Sequence, residues 1–230
     1  DSRFGYNNDY LSFVETAPSE GYLTINFEYI SAATWMASYP EVIGRNLPLE
    51  DIQAAIEAAG EDGIDVAGLS ESNRLKAQML ELGKEALTDV GIGVLAIRRN
   101  ESGAWERSFS ESDRRISGIS GLTDGRYLTA TGPALAVFTK ASGQGYIDDL
   151  SDNIIGTFNN CAGGTTPWGT VMSAEENFQN YVPEPVYSDG TSLPIDAKPF
   201  VVSADGFDGL GSGFGYAGNK YGWMVEVDPA

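Results

Sequence analysis

The chain has 230 residues, of which 42% are hydrophobic and 11% aromatic, and its formal net charge is −19. The apolar content excludes a disordered chain, because disordered segments lack the residues that close a core. The negative charge argues against nucleic acid and membrane surfaces as partners, since no basic patch offsets it.

The first thirty residues are typical of short strands and turns. Residues 22–30, YLTINFEYI, combine β-favouring side chains with alternating polarity, which predicts a strand with two different faces. Asn26 and Glu28 lie two positions apart in this run. Their side chains are therefore expected on the same face of the sheet.

Residues 47–90 differ from the rest and predict a helical insertion. The run LPLEDIQAAIEAAG has a proline near its first turn, acidic residues beside it and a glycine at its end, as helices do. A second run, SNRLKAQMLELGKEALTDVG, spaces Leu75, Met79, Leu82 and Leu87 along one helical face. Both runs are interpreted as helices that pack on a larger body.

After Gly91 the pattern returns to strands. GVLAIRRN and AWERSFS flank the turn residues ESG, which predicts a hairpin, and 28 glycines with 10 prolines are typical of an all-β fold. Several hairpins with variable loops favour a β-propeller. The final strand, YGWMVEV, needs a partner, so the chain is expected to be the N-terminal part of one propeller domain spanning residues 1–230 of a longer polypeptide.

The absence of histidine restricts the possible chemistry. Without it the chain cannot build a Ser-His-Asp triad, a Cys-His pair or an ordinary Cys/His zinc site. Any catalysis must use carboxylates, hydroxyls, lysine, arginine, a metal or the one thiol, Cys161.

That thiol lies in the segment NNCAGGTTPWGTVMSAEENF, residues 159–178. Gly163 and Gly164 are expected to let the backbone turn sharply there. A lone cysteine is commonly a small buried hydrophobe, whereas as a thiolate it is a soft ligand suited to iron or zinc. Its polar, glycine-rich surroundings favour a functional site over a buried packing role for Cys161.

The segment continues as a predicted strand that ends at two adjacent acids, Glu175 and Glu176. Carboxylate oxygens suit hard cations such as calcium. Adjacent side chains of a strand point to opposite sides, so only one of the two is expected to share a site with Cys161 unless the chain bends. The residue types leave open which one does.

The segment resembles the signature of the PhoX-type alkaline phosphatases. The similarity extends to RFGYNNDYL at 3–11, INFEY at 25–29 and YGWMVEVDP at 221–229, in the order of the family. This resemblance implies a β-propeller enzyme, periplasmic or secreted, that hydrolyses phosphate monoesters with an iron and calcium cluster.

The resemblance also implies roles for individual residues. Cys161 would be the thiolate ligand of iron, and Glu28, Glu175 and Glu176 would be carboxylate ligands. Asn177 would donate a hydrogen bond to the substrate phosphate. Further metal ligands and a phosphate-binding arginine would come from the remainder of the polypeptide, because members of the family are longer than this chain.

Two departures from the family pattern and two other functions bear on this interpretation. Phe27 and Ala174 stand where the family usually has a histidine and often has a second cysteine. A non-catalytic secreted propeller that binds calcium is the main alternative. A metal-dependent esterase or lactonase on a related propeller is the other.

Overall fold

The computed structural model describes residues 5–230, so the first two residues of the segment 3–11 lie outside it. The strands are β1 (Asn8–Ala17), β2 (Glu20–Phe27), β3 (Ile64–Asp65), β4 (Gly91–Arg99), β5 (Trp105–Arg107), β6 (Arg114–Ser117), β7 (Leu128–Thr129), β8 (Asn153–Ile154), β9 (Asn160–Thr165), β10 (Val171–Glu175), β11 (Val201–Ser203), β12 (Gly206–Asp208) and β13 (Met224–Val227). The helices are α1 (Ala32–Ile43), α2 (Leu49–Ala59), α3 (Arg74–Asp89) and α4 (Leu135–Phe138).

The main sheet has the order β1-β2-β4-β5, and β6 also pairs with β4. Its pairs are antiparallel, and β2 lies against β4 along its whole length from Glu20 to Phe27. The predicted strand around residues 22–30 is β2, and the predicted hairpin after Gly91 is β4 with β5. Asn26 is fully buried on β2, and the main-chain carbonyl of Glu28, just beyond the strand, accepts a hydrogen bond from Asn159.

A second sheet, β13-β10-β9, packs against the first. The Ser12 and Thr165 hydroxyls are hydrogen-bonded 2.5 Å apart between β1 and β9, and the Asn26 amide donates to the Cys161 carbonyl at 2.8 Å. Two small sheets, β12-β11-β3 and β7-β8, complete the set in residues 5–230. The mainly β composition agrees with the sequence, while the β-propeller stays a prediction.

The helical region begins earlier than the predicted insertion at 47–90. Helices α2 and α3 lie inside that range, but α1 starts at Ala32. Sequence reasoning missed α1 because aromatic residues and an internal proline, Pro40, lower helix propensity. Packing overrides propensity here: the rings of Trp35 and Tyr39 stack with centroids 4.3 Å apart, and both side chains are buried.

Helix α3 supplies the centre of the main core. Met79, Leu82 and Leu87 are at most 1% exposed, as their helical spacing predicts. The Trp35 indole nitrogen on α1 donates to an Asp89 carboxylate oxygen at 2.9 Å, which gives this buried acid a polar partner. Within residues 5–230, no helix has both the length and the apolar character that crossing a bilayer requires.

A stack of aromatic rings supports the chain segment that leads into β9. The Phe158 ring stacks on Tyr181 at 4.6 Å and on Tyr221 at 4.8 Å. The Tyr221 hydroxyl donates to the Ile155 carbonyl at 2.8 Å, so the stack is tied to the backbone it underlies. Ring stacking and this hydrogen bond therefore fix residues 155–160 where they enter β9.

The glycines after Cys161 do not form the sharp turn that the sequence suggested. Gly163 and Gly164 lie inside β9 in extended backbone. A Cβ atom at Gly163 would lie 2.3 Å from the Tyr10 ring, closer than real contacts allow. The glycine is needed because β1 approaches β9 so closely, and not because the chain reverses.

Truncating a core leucine tests this packing. Leu82→Ala is expected to lower the free energy of unfolding by about 2–5 kcal/mol, because the lost side chain leaves a cavity in a close-packed core. Leu11→Ala, where the side chain is 53% exposed, is expected to change it by less than about 0.5 kcal/mol. Chemical denaturation followed by circular dichroism measures both, and equal effects would contradict the assignment of the core.

Candidate metal centre

A β-bulge in β9 decides where the Cys161 side chain lies. Ser173 of β10 pairs with Gly163, but Glu175 pairs with Asn160, so β9 carries one extra residue in this interval. In a regular ladder Glu175 would lie opposite Cys161 and share its face. The bulge reverses that relation, since a one-residue shift moves side chains to the other face.

A second bulge lies in β1 and contains Asp9. Asn8 pairs with Phe27 and Leu11 pairs with Ile25, so β1 has three steps where β2 has two. Bulges re-aim side chains, and they are frequent beside functional sites. Asp9 and Cys161 are thus both placed by irregularities of otherwise regular sheets.

The two bulges bring four acidic groups together. Asp9, Glu28 and Cys161 each offer a ligand atom, and these atoms all lie within 4.8 Å of one another. The Glu176 carboxylate is within hydrogen-bonding reach of the Cys161 thiol, as is that of Asp9. Glu28 and Cys161 are half-buried, whereas Asp9 and Glu176 are exposed, so the cluster opens to solvent.

Two members of the cluster, Cys161 and Glu28, have a raised pKa. Hydrogen bonds to Asp9 and Glu176, with burial and the charge of Glu28, raise the pKa of the Cys161 thiol far above its usual range. Burial and the charge of Asp9 raise the pKa of Glu28. Clustered acidic groups resist losing their protons when no cation is near. A bound cation reverses this effect by favouring the charged forms.

Asparagines in the left-handed region shape the backbone around the cluster. Asn7, Asn159 and Asn177 have φ values of 54°, 53° and 52°. The Asn159 amide donates to the Glu28 carbonyl at 3.1 Å, and its carbonyl accepts from the Glu176 amide at 2.9 Å. One residue therefore bridges the main chains of two carboxylate-bearing residues.

The donor set and its surroundings fit a metal ion. A thiol with three carboxylates combines a soft ligand with hard ones, which suits iron or zinc together with calcium. The side-chain carbonyl oxygens of Asn26 and Asn159 are buried and have no hydrogen-bond partner among residues 5–230. The Asn26 side chain also donates to the Cys161 carbonyl, so one of these oxygens belongs to a side chain in contact with the thiol-bearing residue.

Glu175 is directed away from the cluster. One carboxylate oxygen accepts from the Thr157 hydroxyl at 2.7 Å, and the other accepts from the amides of Gly222 at 2.7 Å and Trp223 at 3.4 Å. Burial raises the pKa of Glu175 to about 7, although these hydrogen bonds and one from the Phe158 amide lower it. Glu176, not Glu175, shares a site with Cys161, because the β9 bulge exchanges the two faces.

Asn177 follows Glu176 directly and has an exposed side chain. No hydrogen bond joins this side chain to another part of the described chain, so its amide is available to a ligand. Sequence reasoning missed Asp9. Its signal was present, because Asp9 is the acid of RFGYNNDYL, one of the segments that carry the family resemblance.

The cluster is separate from the cavity found elsewhere in the molecule. That cavity has a volume of about 1210 Å³ and is lined by parts of β6, β7, β10 and β13 and by Ala130, Thr131, Pro133, Ala134 and Phe138. Glu175 and Trp223 line it, but none of the four clustered residues does. Within residues 5–230 the cluster therefore lies at the surface and outside this cavity.

Comparisons with known proteins give one family and one solved structure. The family model described as alkaline phosphatase PhoX matches residues 1–230. The structure of Pseudomonas fluorescens PhoX in complex with vanadate, a transition state analogue, is 26% identical with a TM-score of 0.58. The similarity covers 98% of this chain but 33% of that one. No curated protein matches the chain.

Removing one carboxylate tests whether the cluster binds a cation. Asp9→Asn in the full-length protein is expected to weaken cobalt(II) binding at least ~10-fold, because ligand charge sets affinity at carboxylate sites. Asp62→Asn makes the same change at an exposed position outside the cluster and is expected to have no effect. Titration calorimetry measures both, and unchanged binding in Asp9→Asn would contradict the site.

Proposed function

The chain belongs to the PhoX alkaline phosphatase family, and from this we propose that it forms part of a metal-dependent phosphomonoesterase. The enzyme releases inorganic phosphate from phosphate esters, and its metals are iron and calcium. The chain spans about a third of the length of the solved relative. The activity is therefore proposed for the full-length protein and not for residues 1–230 alone.

One observation carries this proposal. Asp9 and Glu28 are more than a hundred residues from Cys161 and Glu176 in the sequence, yet all four converge at one solvent-open place. Each lies in a segment that resembles the family signature. Packing alone gives no reason to gather three carboxylates around a thiol, because such a cluster is electrostatically unfavourable without a cation.

The residues of the cluster have distinct tasks in this proposal. The Cys161 thiolate holds iron, since thiolates prefer such metals, and the carboxylates of Asp9, Glu28 and Glu176 hold iron or calcium. When bound, the metals neutralise charge on the phosphoryl group and polarise its oxygens. The positive ions also let a phosphate ester approach a chain whose net charge is −19.

Asn177 is proposed to orient the substrate. Its side chain is exposed beside Glu176, and its backbone is in the left-handed region at φ 52°, which asparagine tolerates better than most residues. An amide N–H donates a hydrogen bond to a phosphoryl oxygen without adding charge. This donor helps to fix the ester in the geometry that displacement requires.

The rest of the polypeptide is proposed to complete the enzyme. The unequal coverage of the relative supports further metal ligands and a phosphate-binding arginine beyond this chain. We further propose that the small sheets belong to a β-propeller and that the enzyme works in the periplasm or outside the cell.

Hydrolysis of p-nitrophenyl phosphate by the full-length protein tests the function. Wild-type protein is expected to contain iron and calcium and to lose activity when a chelator removes them. Cys161→Ala is expected to lower kcat at least ~100-fold, since the thiolate is proposed to bind iron directly and even outer partners of metals cost 10- to 100-fold. Ser72→Ala, at an exposed position, is the control.

The same experiment separates the alternative functions. Calcium without iron, and no turnover of any phosphate ester, would overturn the phosphatase and support a non-catalytic calcium-binding protein. Hydrolysis of carboxylic esters or lactones, but not of phosphate esters, would support the third possibility.

A further inference from the structure

Glu175 has a task of its own although it lies next to a proposed metal ligand. Its two carboxylate oxygens accept from the Thr157 hydroxyl and from the Gly222 and Trp223 amides. The Glu175 amide in turn donates to the Trp223 carbonyl at 3.2 Å. The residue is thus bonded through both its main chain and its side chain.

These bonds join three separate parts of the chain. Thr157 precedes β9 and Cys161, Gly222 and Trp223 precede β13, and Glu175 ends β10 immediately before Glu176. The join lies at the β9 bulge, where the regular ladder is interrupted. A carboxylate that accepts several hydrogen bonds fixes the backbone at this point, where the strand pairing does not.

The hydrogen bonds continue from Thr157 to Asn160 and Ser173. The Asn160 side-chain amide donates to the Thr157 hydroxyl oxygen at 2.8 Å and to the Ser173 hydroxyl at 3.1 Å. Thr157 and Asn160 are fully buried, and Ser173 is 1% exposed. In such a network each member fixes the orientation of the next, so a change at Glu175 reaches Asn160 and hence its neighbour Cys161.

We propose that Glu175 is a positioning residue which, through Thr157 and the Gly222 and Trp223 amides, holds the β9 bulge so that Cys161 and Glu176 face each other. This inference deepens the proposed function, because it concerns the same metal centre. The adjacent acids of the sequence then divide the work: Glu176 faces the metal, and Glu175 fixes the backbone that presents it.

Cobalt(II) binding to full-length variants tests this inference without measuring turnover. Thiolate-to-cobalt charge-transfer absorption reports ligation by Cys161, and its titration gives the affinity. Glu175→Ala is expected to weaken cobalt(II) binding ~10- to 100-fold, as for other outer partners of metal ligands. Glu175→Gln is expected to lose less, because its carbonyl oxygen still accepts from the backbone amides.

Thr157 tests whether its hydrogen bond to Glu175 matters for the metal site. Thr157→Val removes the hydroxyl at nearly constant volume and is expected to weaken cobalt(II) binding, whereas Thr157→Ser keeps the hydroxyl and is expected to restore it. Glu184→Gln, at an exposed site, controls for the loss of charge. If Glu175 were itself a ligand, Glu175→Gln would weaken binding as strongly as Asp9→Asn does, because the same ligand charge would be lost.

The outcomes are separable. Wild-type affinity for cobalt(II) in Thr157→Val would overturn the inference, whatever the result for Glu175→Gln. If the Glu175 variants do not fold, judged by circular dichroism, the Thr157 pair decides. A protein that binds cobalt(II) through Cys161 but hydrolyses no phosphate ester would overturn the proposed function and leave this inference standing. No thiolate absorption in the wild type would overturn both.

Discussion

Repulsion between acidic groups is the constraint on which this site depends. Hydrogen bonds to Asp9 and Glu176 raise the pKa of the Cys161 thiol, and burial with the charge of Asp9 raises the pKa of Glu28, so the ionised cluster is unfavourable in the absence of a cation. The fold nevertheless maintains it with two bulges and with left-handed asparagines, conformations that carry a cost of their own. A bound cation would remove this repulsion and stabilise the arrangement. The strained backbone of the fold is thereby linked to the proposed metal chemistry.

The site has two levels with different physical properties. The outer level is the solvent-open group of Asp9, Glu28, Cys161 and Glu176, whose charges suit metal ions. The inner level is a buried network of neutral donors and one carboxylate, Glu175, which orders the backbone. Because β10 presents consecutive side chains to opposite faces, one strand end serves both levels.

The family assignment gives the site its place in a longer protein. The chain spans about a third of the solved relative, and its solvent-open cluster is proposed to form one side of a metal centre. The remainder of the polypeptide is proposed to cover the exposed side of the cluster and to supply its further ligands. Residues 5–230 form their own cores, and the aromatic stack beneath β9 belongs to the larger one.

The sequence by itself determined the residue types of the site, the family and the main strands and helices. A cysteine with no histidine to pair with, followed by Glu-Glu-Asn, restricts the chemistry, and strong periodicity marked β2, β4 and α3. Local patterns suffice in those elements because propensity and burial agree.

Tertiary structure decided the rest. Helix α1 forms against its propensity because Trp35 and Tyr39 are buried. The choice between Glu175 and Glu176 depends on one extra residue in β9, since a shift by one position exchanges the two faces of a strand. Asp9 and Glu28 meet across the β1-β2 hairpin, but they reach Cys161 only through contact between β1 and β9, which lie more than a hundred residues apart in the sequence. Register and bulges are properties of paired strands, so no single segment of sequence contains them.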